Sequence, residues 1–223
     1  MIPQQKIDPQ DFEYNHLVDS NEHALIGISP FNGYFSTQNI ENLIRWASNN
    51  FKDFDIFTMD SASKYNLMAI GYTEGDAIKK TKKQDQHLQN KIVRCLTNIG
   101  LTKEEAQKKI VFISHLYQNE RYLELYKEYL NLFKNNTSFR SDCLNASKSI
   151  LSQKIAEVTD ESAYLAVNYL LQEIPIWFNT PYILGINSSV FVYKDLPLFW
   201  RNVCYNYGLI SPNQKILIKQ MYF

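Results

Sequence analysis

The chain of 223 residues carries 23 Lys and Arg against 23 Asp and Glu, so bulk charge points neither to nucleic acid nor to a strongly acidic or basic partner. At 45% hydrophobic and 21% charged residues the composition is that of a globular protein, long enough for a sizeable core, and it excludes a largely disordered chain. No apolar run reaches the ~18 residues of a membrane span, and Cys95, Cys143 and Cys204 are too widely spaced for a disulfide framework or a zinc pattern.

Residues 1–21 read as a polar, acidic lead-in without the apolar segment of a secretory signal. Residues 22–223 read as a single domain, because no linker, low-complexity tract or repeat interrupts them. A reduced, cytoplasmic protein with inert thiols is expected. His23–Ser29 predicts a buried strand, and Thr37–Asn50 a helix with Ile40, Leu43, Ile44 and Ala47 on one face. Asp55–Met59 predicts a strand, Ala77–Ile99 a long helix, Lys103–Lys108 a short one and Ile110–Ser114 a third strand. This alternation predicts a parallel sheet with helices on its faces. The second half is helix-rich: Glu120–Lys134 puts Leu123, Tyr126, Leu130 and Phe133 on one stripe, and Ser138–Glu157 and Glu161–Glu173 follow. Pro175 is expected to end the last of these. Tyr182–Leu184 and Val190–Tyr193 are β-prone, and Leu196–Tyr205 reads as a final helix. The fold class is α/β, a Rossmann-like parallel sheet flanked by helices.

Three features carry chemistry. Gly27-Ile28-Ser29-Pro30 ends the first strand in a serine at a turn. In an open α/β sheet the carboxyl end of a strand is where ligands bind, although a serine there also serves simply as a turn or capping residue. Phe31 stands where G-x-S-x-G needs its second glycine, and His16, His23, His87 and His115 lie in no recognisable triad context. A nucleophilic Ser29 therefore needs another base or an already activated substrate. Tyr169 and Glu173 share one helical face at i, i+4; they are either an inconsequential surface pair or, in the apolar segment YLLQEIPIWF, a phenol beside a carboxyl of raised pKa. Such a carboxyl exchanges protons with an amine near neutral pH. On the long helix Lys80, Lys83, Lys91 and Arg94 fall on one face, widened by Lys79 and Lys82. This is a solvated face or a phosphate-backbone track. Dinucleotide, P-loop, H-E-x-x-H and C-x-x-C motifs are absent, so no cofactor or metal is indicated.

Taken together, these residues resemble the cyclodipeptide synthases, whose fold is similar to the catalytic domain of class I aminoacyl-tRNA synthetases of the tyrosine/tryptophan type. The family's H-x-[apolar]-[apolar]-G-[apolar]-S pattern is matched by His23 to Ser29, followed by Asn32 and the aromatic pair Tyr34-Phe35. Its Y-x-x-x-E-[apolar]-P pattern is matched by Tyr169 to Pro175, and its later tyrosine by Tyr193. The resemblance spans residues 20–210. One departure is Lys194, where the family commonly has Gln or Pro after that tyrosine; Asn32 fits the Gln-type branch.

The resemblance implies an enzyme that takes two aminoacyl-tRNAs, moves the first aminoacyl group to Ser29, extends it to a dipeptidyl-enzyme and releases a 2,5-diketopiperazine. Tyr169 and Glu173 would hold the α-amino group, with Glu173 transferring protons, and Tyr193 would help place Ser29. Gly27 and Asn32 would belong to the substrate site, Gly27 admitting the substrate close to the strand. Leu25, Ile176 and Phe191 would line the first side-chain pocket, and Lys79, Lys80, Lys82, Lys83, Lys91 and Arg94 would carry the tRNA acceptor arm. No ATP, cofactor, metal or membrane is implied, and a monomer suffices. The residues alone also fit a non-catalytic tRNA- or nucleotide-binding Rossmann-like module, or a serine hydrolase with a histidine near Ser29.

Overall fold

The computed structural model describes residues 22–195, 207–219 and 221. The lead-in 1–21 and the expected helix Leu196–Tyr205 lie outside the described residues. Five parallel strands run in the order β3-β2-β1-β4-β5: β1 His23–Ile28, β2 Asp53–Thr58, β3 Ile110–Phe112, β4 Ser189–Tyr193 and β5 Gln214–Ile218. The central strand β1 is buried at every residue, which is why it reads as a continuous apolar run rather than an alternation.

Alternate residues of β1 feed two cores. Ala24, Ile26 and Ile28 pack with α1 (Thr37–Asn50), α3 (Glu74–Thr97) and α4 (Lys103–Lys108) on one face. On the other, Leu25 joins α5 (Ile113–Leu116), α6 (Glu120–Asn135), α7 (Thr137–Leu151) and α8 (Asp160–Leu184). Gly27 and Ser29 follow Leu25 on that second face. Helix starts are set by side-chain caps: Ser36 for α1, Thr73 for α3, and a Thr102–Glu105 capping box for α4. Helix α2 (Ser63–Ala69) packs on α8 and was not apparent as a periodic segment. Among the described residues no helix is long and apolar enough to cross a membrane.

Four expectations need correction. Ile113 and Ser114 open α5 instead of extending β3, because the Asp60 carboxylate accepts from the Ser114 N–H at 3.0 Å and from its hydroxyl at 2.6 Å. Helix α7 stops at Leu151, short of Glu157. Pro175 does not end the helix; α8 runs through both Pro175 and Pro181. A helix-interior proline costs about 3 kcal/mol, yet every residue from Leu170 to Phe178 is buried. At about 1.5–3 kcal/mol per large apolar side chain, Ile174, Ile176, Trp177 and Phe178 outweigh that cost. Tyr182–Leu184 is the last turn of α8 and not a strand.

The helix yields only at Asn179 (φ −151°, ψ 48°). There the Asn179 carboxamide oxygen accepts from the Tyr182 N–H at 3.4 Å, so Pro181 falls in the first turn of a restarted helix, where its missing N–H costs little. The break frees the N–H of Thr180, which is fully buried and donates to Gln214 Oε1 at 2.9 Å. Ser211 N–H donates to Phe178 O at 3.0 Å, so the approach to β5 is stitched onto the kink. Replacing Gln214 with Leu strands the Thr180 donor in the core, and the variant should lose about 1–3 kcal/mol in urea unfolding. A midpoint equal to wild type would show that the kink does not depend on this bond.

Candidate active site

The site forms at the carboxyl end of β1. In the β1–β4 register Leu25 pairs with Phe191, which sets Gly27 beside Tyr193. A Cβ on Gly27 would lie 2.8 Å from Phe191 Cζ and 3.1 Å from Tyr193 Cδ2. The room left by the missing side chain is thus filled by two aromatic rings. Gly27 thus lets Tyr193 lie close over β1. Tyr193 OH and Ser29 Oγ then meet at 2.6 Å. Ser29 is half-buried and opens a turn in which Phe31 takes φ 58°, a conformation uncommon outside Gly and Asn. Asn32 holds this turn: its carboxamide oxygen accepts from the Tyr34 N–H at 3.1 Å, and its side chain hydrogen-bonds the Tyr193 phenol.

Helix α8 supplies the opposite wall. Tyr169, Glu173 and Trp177, at i, i+4 and i+8, form one stripe facing the strand ends. Glu173 is 8% exposed, and none of the ion pairs among the described residues includes it. Burial raises its pKa to about 8, with the nearby Trp177 indole acting the other way. Tyr169 is pushed well above the usual phenol range by burial and then by the Glu173 charge, while a hydrogen bond with Ser29 acts the other way. Tyr193 is raised by burial and then by Glu173, and lowered by its bonds to Ser29 and Asn32. Ser29, Tyr169, Glu173 and Tyr193 therefore share one hollow. The sequence does not single out Trp177, because Pro175 reads as the end of its helix.

Leu25, Ile176 and Phe191 are each 0% exposed and lie in the apolar cluster behind this hollow. Phe191 stacks on Trp177 with ring centroids 4.7 Å apart and meets Phe57 edge-on at 6.3 Å. A cavity of about 170 Å³ opens beside Tyr169 and is bordered by Pro30 and Phe31.

The basic residues line α3, but not equivalently. Lys79, Lys80, Lys82, Lys83 and Arg94 are exposed, whereas Lys91 is half-buried and donates to Phe35 O at 3.1 Å. Arg94 donates to Thr37 Oγ1 at 3.1 Å. Asp85 leaves the basic face and lines a cavity with Asp60; burial and then the Asp60 charge raise its pKa to about 7. His23 sits at the far end of β1 from Ser29, about 20 Å away at strand rise. Its Nδ1 meets Ser189 Oγ at 2.9 Å and its Nε2 meets Asp55 Oδ2 at 3.2 Å, clamping β1 between β4 and β2. Among the described residues no histidine hydrogen-bonds Ser29, so the structure lends the hydrolase reading no support.

The family model for cyclodipeptide synthase matches residues 6–214. The chain is similar to a cyclo(L-leucyl-L-leucyl) synthase of Photorhabdus laumondii, 31% identical over 188 residues, which cover 80% of this chain and 79% of the relative. The solved structure of a Staphylococcus haemolyticus cyclodipeptide synthase matches with a TM-score of 0.83 at 26% identity, over 91% of this chain and 92% of that one. A Mycobacterium tuberculosis structure, described as demonstrating that cyclodipeptide synthetases are related to type I tRNA synthetases, matches with a TM-score of 0.77 at 28% identity, over 90% and 86%. A serine at a strand end beside a buried carboxyl, on a five-stranded parallel sheet, thus sits in a chain that belongs to the cyclodipeptide synthase family, enzymes that make cyclodipeptides.

Proposed function

We propose that this cyclodipeptide synthase takes both amino acids from aminoacyl-tRNAs and works through an ester on Ser29. The observation that supports this most is the Ser29–Tyr193 contact of 2.6 Å in a hollow shared with Glu173. An aminoacyl-tRNA is already an activated ester. When Ser29 Oγ bonds to the acyl carbon, the carbon–oxygen bond to the terminal ribose breaks and the serine proton passes to that ribose oxygen. One ester replaces another, so the step needs neither ATP nor a histidine. The two phenols, held protonated by burial, orient the hydroxyl without competing for its proton.

The amine of the Ser29-bound residue then attacks the ester of a second aminoacyl-tRNA; the carbon–oxygen bond to that ribose breaks, the tRNA leaves with the amine's proton on its hydroxyl, and a dipeptidyl-enzyme remains. The new terminal amine attacks the serine ester and closes the ring. Both attacks require a neutral amine. A free α-amino group has a pKa of about 8, and Glu173 is raised to about 8, so proton exchange between them is nearly level. Ring closure needs a cis amide at roughly 3 kcal/mol, which holding the chain ends together, worth on the order of 7 kcal/mol, outweighs. Leu25, Ile176 and Phe191 give the first site an apolar wall, in keeping with an aliphatic or aromatic first residue such as that in the name of the Photorhabdus relative. One chain carries all four groups, so a monomer suffices. Free, buried Cys95 and Cys143 suit the reducing cytoplasm, where aminoacyl-tRNAs are made.

Ser29→Ala should carry no aminoacyl adduct by intact-protein mass spectrometry and should release no diketopiperazine; an adduct or product from that variant sinks the nucleophile assignment. Glu173→Gln should retain tRNA affinity yet accumulate acyl-enzyme. Glu173 also links stability to pH. Its folded pKa, about 8, lies above the unfolded value near 4.5, so the folded state holds the proton more tightly. That stabilisation is complete below about 4.5 and is lost as pH rises towards 8. Urea midpoints should fall between pH 5 and pH 8 more steeply for wild type than for Glu173→Gln, and parallel slopes would contradict a buried, protonated carboxyl.

A further inference from the structure

We propose that the cavity beside Tyr169 is a phosphodiester subsite, in which Lys154 and Lys80 hold the phosphate nearest the ester of the aminoacyl-tRNA that acylates Ser29. The proposal rests on the tRNA-dependent reading above and adds to it a residue, Lys154, that lies on no basic helix. Nine residues border the cavity: Tyr169 of the reaction hollow, Pro30 and Phe31 directly after Ser29, and a remainder whose only charges are Lys80 and Lys154. No carboxylate borders it, in contrast to the cavity lined by Asp60, Lys82 and Asp85.

The two ammonium groups come from separate elements. Lys80 projects from α3 and Lys154 from the connection between α7 and α8, so they converge on one mouth from two sides. Lys80 is preorganised: its ammonium donates to Tyr72 OH at 2.5 Å and lies 4.3 Å from the centre of that ring. Asn66 adds a carboxamide and Ser63 a hydroxyl, and a phosphate between two ammonium groups makes charge-assisted contacts.

The geometry of the substrate fits. In an aminoacyl-tRNA the phosphate on the 5′ side of the terminal ribose lies one sugar away from the acyl ester. The cavity lies one turn of chain away from Ser29. At about 170 Å³ it has room for a phosphate and part of its sugar. With the ester at Ser29 and the phosphate between Lys80 and Lys154, the chain leaves towards Lys79 and Lys83 along α3.

The test compares two acyl donors carrying the aminoacyl group found in the enzyme's product: the aminoacyl-tRNA and the corresponding 3′-O-aminoacyl-adenosine, which has no phosphate. Single-turnover acylation of Ser29 is followed by intact-protein mass spectrometry for wild type, Lys154→Gln and Lys154→Arg. Lys154→Gln should slow acylation from the tRNA at least tenfold and leave the rate from aminoacyl-adenosine at the wild-type level, with Lys154→Arg recovering most of the loss. The slope of log affinity against log salt for tRNA should become shallower by about 0.7 in Lys154→Gln. Equal slowing with both donors, or none with the tRNA, overturns the subsite. Failure of wild type to acylate Ser29 from tRNA ends the parent reading as well and is told apart by appearing before any substitution is made.

Discussion

The site depends on a buried carboxyl group that forms no ion pair among the described residues. Glu173 lies inside α8 among apolar neighbours, where an ionised carboxylate is strongly disfavoured, and it settles the conflict by keeping its proton to about pH 8. Its neighbours are consistent with that state. Trp177 offers an N–H and the two phenols remain protonated, so the hollow presents polar groups but little fixed charge. In the proposed mechanism an incoming α-ammonium changes this balance: it would supply a cation, draw the proton off Glu173 and be held by the charge so created. A site of that kind would ionise only when its ligand arrives and so distinguish an amine from water without a permanent ion pair.

The backbone has to be rigid for such a group to be useful. Helix α8 brings Tyr169, Glu173 and Trp177 to one stripe only because it continues through Pro175, and it continues because its burial outweighs the proline. The Tyr122 hydroxyl donates to Gln172 O at 2.9 Å, tying α6 to the turn that carries Glu173. On the strand side, Gly27 admits the rings of Phe191 and Tyr193 and so fixes the Ser29–Tyr193 contact. The chemistry is therefore set by packing: an added methyl group at residue 27 would press on the ring that places the phenol.

Much of this was legible in the sequence where local pattern and tertiary context agree. Strand β1 is apolar throughout because it is central, and α1 shows its buried face as Ile40, Leu43, Ile44 and Ala47 at helical spacing. The Tyr169–Glu173 pair was legible because i, i+4 spacing holds in any helix. What failed were local signals that long-range contacts override. Pro175 reads as a stop, but burial against the sheet carries the helix past it. Tyr182–Leu184 is β-prone by composition, yet Asn179 and Pro181 restart the helix there. Helix α2 is too short for periodicity to be seen, and β5 gains its place only by pairing with β4. Lys154 could not be linked to Lys80 from the sequence, since 74 residues separate them and only the packing of α2 and α8 brings them to one cavity.

The reading of a neutral protein as one that handles a polyanion turns on how charge is distributed. Salt screens exposed charges beyond about 8 Å at physiological ionic strength, so an approaching phosphate responds to the nearest side chains and not to the net charge of the molecule. Along α3 the exposed face presents Lys79, Lys80, Lys82 and Lys83, while Asp85, which lines a cavity with Asp60 and Lys82, is partly neutralised there by its raised pKa. Lys91 and Arg94 direct donors to Phe35 and Thr37, anchoring the helix to the segment that follows Ser29. In the proposed reading the lysines at one end of α3 meet phosphate, while Lys91 and Arg94 at the other end tie the helix to the segment that follows Ser29. Zero net charge is compatible with tRNA binding because Lys79, Lys80, Lys82 and Lys83 are concentrated on one stretch of α3, where they outnumber the exposed Glu74 and Asp76 of its first turn.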